Sequence, residues 1–295
     1  MTWISRLSPD TAKAVRALAE RTARSDGTAP LSGHILEGLS SPGDSYILAT
    51  VGTQLIGLAV SHADDPVELF VDPAHRREGL GTELLHTALA RAGAAWAHGD
   101  LPAAAALAAK TGLVRARELL QMRRELDPGW ASEQVAAAMI PAGVRLRTFV
   151  PGQDEEQFLG VNARAFSWHP EQGRLDLDGL RAEMAQPWFD PLGFFLAVDV
   201  HDTVLGFHWT KVHVDTPNPL GEVYVLGVDP DGVLLGRPVR GLGAPLTAAG
   251  LRYLAERGLQ AVMLYVEGHN DRALRLYQGL GFETFATDVV YRAPR

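Results

Sequence analysis

Near its C-terminal end the chain reads E-G-H-N-D-R-A-L-R-L-Y-Q-G-L-G-F, from Glu267 to Phe282. Asn270 can cap a helix that starts near Asp271, and Tyr277, two turns in, then presents a phenol able to protonate a leaving group. A plain amphipathic helix with a core tyrosine would have the same spacing. Upstream, E-V-Y-V-L-G-V from Glu222 to Val228 alternates like a strand, with Glu222 and Tyr224 on one face. Gly227 interrupts that strand where a bulge could splay it from its neighbour, and an amide exposed there can meet a carbonyl. Two Gly-rich turns lead into apolar helices: Arg76, Arg77, Glu78, Gly79, Leu80, Gly81, Thr82 in one, and Arg240, Gly241, Leu242, Gly243, Ala244 in the other. Such turns leave backbone N–H groups unpaired at the positive end of a helix dipole, which suits a pyrophosphate. Arg76 and Arg77 add positive charge to the first. In the second, ten residues separate Pro230 from Gly241, where five separate Pro73 from Gly79, and Pro238 stands at the position of Arg76. Proline offers neither a side-chain donor nor an N–H, so Arg237 or Arg240 is expected to compensate.

These groups sit in matching surroundings. Glu68 to Leu89 and Glu222 to Leu251 each give a β-rich run, then V-D-P, then a Gly-Leu-Gly turn opening a helix. The chain therefore reads as two copies of one domain, an N-terminal copy over 1–135 and a C-terminal copy over 143–295, punctuated between Asp127 and Gly143 by D-P-G and P-A-G. In the first copy strands are expected over 46–51, 54–61 and 68–71, a helix after Gly81 and another over 102–110. In the second, strands are expected over 144–149, 194–200, 204–211, 222–228 and 261–266, with a helix over 154–165, one after each of the last two, and a final strand. The fold class is α/β (α+β), each copy a mixed, mostly antiparallel central sheet flanked by helices. Aligning the two copies on their closing Gly-Phe and Gly-Leu pairs sets Tyr277 opposite Ala108 and Asn270 opposite Leu101, so the first copy lacks the candidate acid.

Composition narrows the chemistry. The 295 residues are 46% hydrophobic with a net charge of −8, which suits two globular domains and argues against nucleic acid or an anionic membrane as partner. No apolar run is long enough to span a bilayer and the start lacks a signal-peptide core, so a cytoplasmic protein is expected. With no cysteine, disulfides, thiolate metal sites and a cysteine nucleophile are excluded. His169, His208, His213 and His269 match no metal-ligand spacing, and no metal is expected. The aromatics Trp168, Trp188, Phe189, Phe194 and Phe195 are expected in a core or pocket wall.

Asn270, Ala273, Tyr277, Gly281 and Phe282, the R-R-E-G-L-G turn and the interrupted strand together resemble the GCN5-related N-acetyltransferases (GNAT enzymes). The resemblance implies two tandem domains of that fold and acetyl-CoA as acetyl donor. It assigns the CoA diphosphate to the Gly-rich turns, and the donor to Leu69, Phe70 and Val71 in the first copy. In the second copy it assigns the donor to Leu226, Gly227, Val228, Asn270, Arg272 and Ala273. It makes the Leu226 amide the group that polarises the thioester, Glu222 the base and Tyr277 the acid. W-H-P-E-Q-G (168–173), W-F-D (188–190), G-F-H-W-T-K (206–211), G-E-V-Y-V-L-G-V-D-P (221–230) and L-Y-V-E (264–267) are further similar to the mycothiol synthases, a tandem actinobacterial branch of that family. This second resemblance is strong over 143–291, and it implies transfer to the cysteinyl amine of cysteinyl-glucosaminyl-inositol. Glu171, Lys211, Glu222 and Glu267 would then hold the acceptor, carboxylates accepting from hydroxyls and ammonium and the lysine donating. That branch carries a glutamate after a serine near residue 33, where this chain has Gly33. The resemblance leaves the C-terminal copy as the catalytic one, the N-terminal copy as degenerate with its CoA turn retained, and a monomer acting on a small-molecule amine. Two other readings remain open: an acetyltransferase for another amine, such as an aminoglycoside or a protein N-terminus, and a CoA-binding sensor that does not react.

Overall fold

The computed structural model describes residues 1–39, 43–62, 65–168, 172–214 and 219–294. In chain order the elements begin with α1 (Pro9–Asp26), α2 (Gly33–Glu37), β1 (Asp44–Val51), β2 (Gln54–His62), β3 (Val67–Val71), α3 (Leu80–Ala92), β4 (Ala94–Ala97), α4 (Pro102–Lys110) and β5 (Val114–Glu125). Then come α5 (Pro128–Ala137), β6 (Arg145–Thr148), α6 (Glu155–Ala165), α7 (Leu177–Met184), β7 (Phe194–Val198), β8 (Val204–His213) and β9 (Leu220–Val228). The chain closes with β10 (Val233–Leu234), β11 (Arg237–Pro238), α8 (Gly243–Glu256), β12 (Ala261–Glu267), α9 (Asp271–Gly279) and β13 (Glu283–Arg292).

Contacts gather these elements into two compact units, Met1–Gln121 with Glu267–Asn270 and Thr284–Arg295, and Met122–Val266 with Asp271–Glu283. In the first, β1, β2 and β3 are antiparallel neighbours, β3 and β4 run parallel, and β13 pairs antiparallel with β4, Val289 opposite Ala97 and Tyr291 opposite Ala95. The final strand, expected to complete the second copy, thus lies in the first unit. Period-two alternation splits the first unit's strands between two cores. Tyr46, Leu58, Val60 and Phe70 pack with Val15, Leu18 and Ala19 of α1, while Ile47, Ala59 and Val71 pack with Leu84, Leu85 and Ala88 of α3. Helix α1 is absent from the sequence expectations although its signals are plain. Ser8 Oγ accepts from Thr11 N, Pro9 occupies the first turn, and Gly27 closes the helix at φ 75° with its N–H on Ala23 O.

In the second unit β6, β7, β8 and β9 form an antiparallel run and β12 joins β9 in parallel. One face packs on α6 and α7 through a nest of aromatic rings, with Phe149 and Phe194 stacked at 4.4 Å, Phe194 and Trp209 stacked at 4.7 Å, and Phe158 edge-on to Phe194 at 5.0 Å. The opposite face meets α8 through Ala197, Leu205, Leu242 and Leu246. The D-P-G expected as punctuation between the copies begins a helix. Asp127 accepts from Trp130 N at 2.7 Å, Pro128 takes the first turn of α5, and Arg124 lies over the Trp130 ring. Asp and Pro favour helix starts as much as turns, so the punctuation is real and its meaning different.

Candidate active site

Strand β9 is the axis of the site. Its ladder with β8 shifts register between Trp209↔Val225 and Thr210↔Val223, which leaves Tyr224 as the extra residue of a bulge. The bulge expected at Gly227 is therefore three residues earlier. Gly227 serves packing instead, since a Cβ there would lie 2.7 Å from Phe207 Cζ and glycine makes room for that core ring. On its other edge β9 pairs with β12 only through Gly221, Glu222 and Val223, and then runs on to Val228 with no further partner in that register. Leu226, Gly227 and Val228 stay paired with His208, Phe207 and Gly206 of β8 on one edge, while the edge that β12 has left carries the backbone groups that point away from β8.

On the α7 face of the same strands, Glu222 is 6% exposed, and its Oε2 lies 2.6 Å from His213 Nε2. The antiparallel register sets Glu222 opposite Lys211, whose Nζ lies 4.5 Å from the Trp188 ring and 5.0 Å from the Tyr224 ring. Tyr224 bonds Glu183 of α7, and burial, followed by the charges of Glu183 and Glu222, raises its phenol well above the ordinary range. A cavity of 410 Å³ lies on the α7 side of Tyr224, lined by Gln172, Arg174, Asp176, Glu183, Trp209 and Tyr224 among others. Its size is that of a small-molecule pocket, and its wall combines amide, guanidinium and carboxylate groups with aromatic faces. His213, Glu183 and Tyr224 are not among the site residues expected from sequence. Alternation from Lys211 puts His213 on the same face, but only the strand register shows what it meets.

Helix α9 starts at Asp271, directly after Asn270, with Arg272 and Ala273 in its first turn. Tyr277 is buried, edge-on to Phe282 at 5.7 Å, and burial raises its phenol above its ordinary value. The long second turn is resolved into a short hairpin: β10 and β11 pair Val233 with Pro238 and Leu234 with Arg237, and Val239 N donates to Gly232 O. The insertion folds on itself, and Gly241 at φ 79° still leads the chain into α8. Leu242 turns into the core, while Arg240 and Ala244 stay exposed. Glu171 lies outside the described residues.

The Acetyltransferase (GNAT) family model matches residues 12–112 and again 162–282. The chain belongs to the GNAT family of acetyltransferases. It is 48% identical to a mycothiol acetyltransferase of Thermobispora bispora over 97% of each chain, and 46% identical to one of Nocardia farcinica over 99% of this chain and 97% of that one. Among solved structures it resembles a GCN5-related N-acetyltransferase from Sphaerobacter thermophilus at TM-score 0.69 and 24% identity, over 98% of this chain and 95% of that one. A tandem GNAT protein from the clavulanic acid biosynthesis pathway gives TM-score 0.69 at 19% identity, over 99% and 98%. These two likenesses report the shared fold. The chain is thus a tandem GNAT enzyme, an N-acetyltransferase that draws on acetyl-CoA.

Both GNAT units offer helix starts that fit the donor's pyrophosphate, since α3 and α8 begin with no side-chain cap on their first N–H groups. In the first unit β3 pairs with β4 only at Val67 and Glu68, so Leu69, Phe70 and Val71 run past it as the end of β9 runs past β12. Gly79, at φ 92°, leads Leu80, Gly81 and Thr82 into α3, with Arg77 at φ 70° and Glu78 exposed before it. Arg76 is not a free cation here: its guanidinium grips Asp26 of α1 at 2.8 and 2.6 Å and its Nε donates to Val71 O, so it ties the turn to the sheet and to α1. Leu101 precedes α4 as Asn270 precedes α9, and Ala108 occupies the position of Tyr277. Glu267 is buried, with Oε1 held by Arg117 Nε at 2.9 Å and Nη2 at 2.6 Å. Its Oε2 is buried, accepts no hydrogen bond among the described residues and has His269 Nδ1 at 3.9 Å. Among the described residues no group of three or more His, Asp or Glu could hold a metal. No helix among them is long and apolar enough to cross a membrane.

Proposed function

We propose that this enzyme transfers acetyl from acetyl-CoA to the cysteinyl amine of 1D-myo-inositol 2-(L-cysteinylamino)-2-deoxy-α-D-glucopyranoside, the step that forms mycothiol. The observation that carries the reading is the name shared by relatives 46–48% identical along nearly their whole length. The second unit supports it with a buried carboxylate, Glu222, and, bordered by Tyr224 two residues on, a pocket whose wall mixes amide, guanidinium and carboxylate groups. Acetyl-CoA supplies an activated thioester. Glu222 takes a proton from the acceptor ammonium, freeing the nitrogen lone pair to form the C–N bond as the C–S bond breaks. The Leu226 amide, on the divergent end of β9, donates to the carbonyl oxygen, while Gly227, Val228 and the helix starts around Gly241, Gly243, Arg272 and Ala273 hold the donor. Tyr277, kept protonated by burial, gives its proton to the departing thiolate. Lys211 donates to acceptor hydroxyls. On this reading the enzyme is monomeric and cytoplasmic, with catalysis in the second unit.

Mass spectrometry of the purified protein incubated with acetyl-CoA and cysteinyl-glucosaminyl-inositol tests the proposal directly. A product heavier by one acetyl group on nitrogen is expected. Turnover of acetyl-CoA only with other amines would replace this acceptor, and bound donor without turnover on any amine would leave a sensor.

A further inference from the structure

Acetylating an ammonium by a thioester releases one net proton per turnover, because the nitrogen loses two while the thiolate takes one. Glu222 is placed to receive that proton, yet its side chain is 8% exposed and has little contact with water to pass it on. Its Oε2 is 2.6 Å from Nε2 of His213, a side chain 33% exposed at the end of β8. A contact that short between two potential acceptors requires one proton between them. We infer that His213 is the proton exit of the active site, receiving on Nε2 the proton that Glu222 takes from the amine and releasing one from Nδ1 to solvent.

The balance closes without another reactant. Before the amine reacts Glu222 is a carboxylate and the imidazole carries its one proton on Nδ1, so Nε2 is open, and the proton taken from the ammonium is the one then shared between Oε2 and Nε2. Once on Nε2 it makes an imidazolium, which loses the Nδ1 proton to water, and exchange of the Nε2 proton for one on Nδ1 through solvent restores the starting tautomer beside the carboxylate. Among the described residues, β8 and α7 each bring a charged group towards the pair. Lys211, two residues before His213 on β8, is the cross-strand partner of Glu222 and sits over Trp188 and Tyr224. Glu183, on α7, bonds Tyr224 and interacts with the site through that phenol. Of the groups bonded to Glu222, His213 combines contact with the carboxylate, a titratable nitrogen and access to water. It acts through Glu222 and is a positioning and relay residue.

The inference rests on Glu222 being the base for whichever amine is acetylated, and its test is kept separate from the identity of that amine. Wild type, His213→Gln and His213→Ala are compared with an amine that the wild type turns over, in dilute and in concentrated imidazole buffer, across pH 6 to 9. Glutamine can still donate to the carboxylate but cannot pass a proton on. Both variants are expected to lose about tenfold or more in kcat with KM for acetyl-CoA unchanged, and His213→Ala is expected to regain turnover as imidazole is raised. Wild-type kcat in His213→Gln would overturn the relay and leave His213 an orienting group. A deficit in both variants that imidazole does not touch would overturn it too. His213 is partly exposed, so the variants are expected to fold; matching circular dichroism checks this, and His213→Asn repeats the comparison if either fails. Absence of product with cysteinyl-glucosaminyl-inositol in the wild type would sink only the acceptor assignment.

Discussion

At the residue scale the second unit holds a carboxylate and a phenol out of water. Glu222 is a carboxylate with almost no solvent, held beside His213 and Lys211, while Tyr277 is a phenol raised by burial and therefore neutral through the physiological range. On the proposed reading Glu222 takes the proton of the acceptor amine and Tyr277 gives one to the departing thiolate. Glu222→Gln is expected to lower kcat by about a hundredfold, with the largest deficit at low pH where more of the acceptor amine is protonated. Steady-state rates between pH 6 and 9 check this, and an unchanged pH profile would remove the residue from the base role. Tyr277→Phe keeps the ring that packs on Phe282, so acetyl-CoA affinity by calorimetry is expected to stay within about twofold while turnover falls about tenfold or more. Much of this is legible in the residues alone. Spacing on a helix points to Tyr277, and alternation on a strand puts Glu222 on a face. His213 is not legible, because its partner depends on how β8 and β9 are paired. Arg76 misleads for a similar reason: its type suits an anion, but Asp26, fifty residues away in sequence, already claims it.

At the element scale, the strands and helices that carry the site follow from period and punctuation, whereas their irregularities follow from packing. The β9 bulge sits at Tyr224, where the ring leaves the ladder to meet Trp188 at 5.2 Å, and not at the glycine that local propensity would choose. Helix α8 shows the same dependence on a neighbour. His208, fully buried on β8, holds its Nδ1 2.8 Å from Leu246 O, and burial lowers its pKa to about 4, so the ring is neutral and donates to that carbonyl. The ring occupies the space beside Gly250, where a Cβ would fall 2.1 Å from its Cε1. Gly250→Ala therefore has to move a hydrogen-bonded ring or the helix. It is expected to lose about 2 kcal/mol in urea unfolding, although alanine is the better helix former by nearly 1 kcal/mol. A gain in stability would show that α8 can slide past β8. Neither the turn between Pro230 and Gly241 nor the D-P-G before α5 can be read this way in advance, since both use residues equally at home in loops and at helix starts.

At the scale of the whole molecule the two units repeat one another in places that carry no catalysis. The aspartate of each V-D-P pairs with an arginine from a helix earlier in its unit, Asp72 with Arg21 of α1 at 3.1 Å and Asp229 with Arg164 of α6 at 2.6 Å. They differ in how they bury histidine. In the first unit His98 lies 3.1 Å from Glu68 and 3.3 Å from Asp288; burial works against its charge, but the bonds and charges of Asp288 and Glu68 prevail and push its pKa up to about 9. A folded-state pKa above the unfolded value of about 6.5 means stability fully present below pH 6.5 and lost as pH rises through about 9, by at most about 3 kcal/mol. For His208 the folded pKa is the lower, so its contribution is lost as pH falls from about 6.5 towards 4. Denaturant titrations across pH 5 to 10 are expected to show a maximum near neutrality, with the alkaline limb flattened in His98→Gln and the acid limb retained. An unchanged alkaline limb would mean that His98 is neutral. Finally, β13 completes the first unit's sheet from a position almost two hundred residues downstream of β4, Val289 against Ala97. The half that leaves the ribosome first is therefore finished last, and must wait with an unfilled strand position while the second unit is made. Splitting the gene at any single point between the two copies would leave the upstream product with an open sheet edge, so two copies that arose in tandem are now bound to be inherited as one.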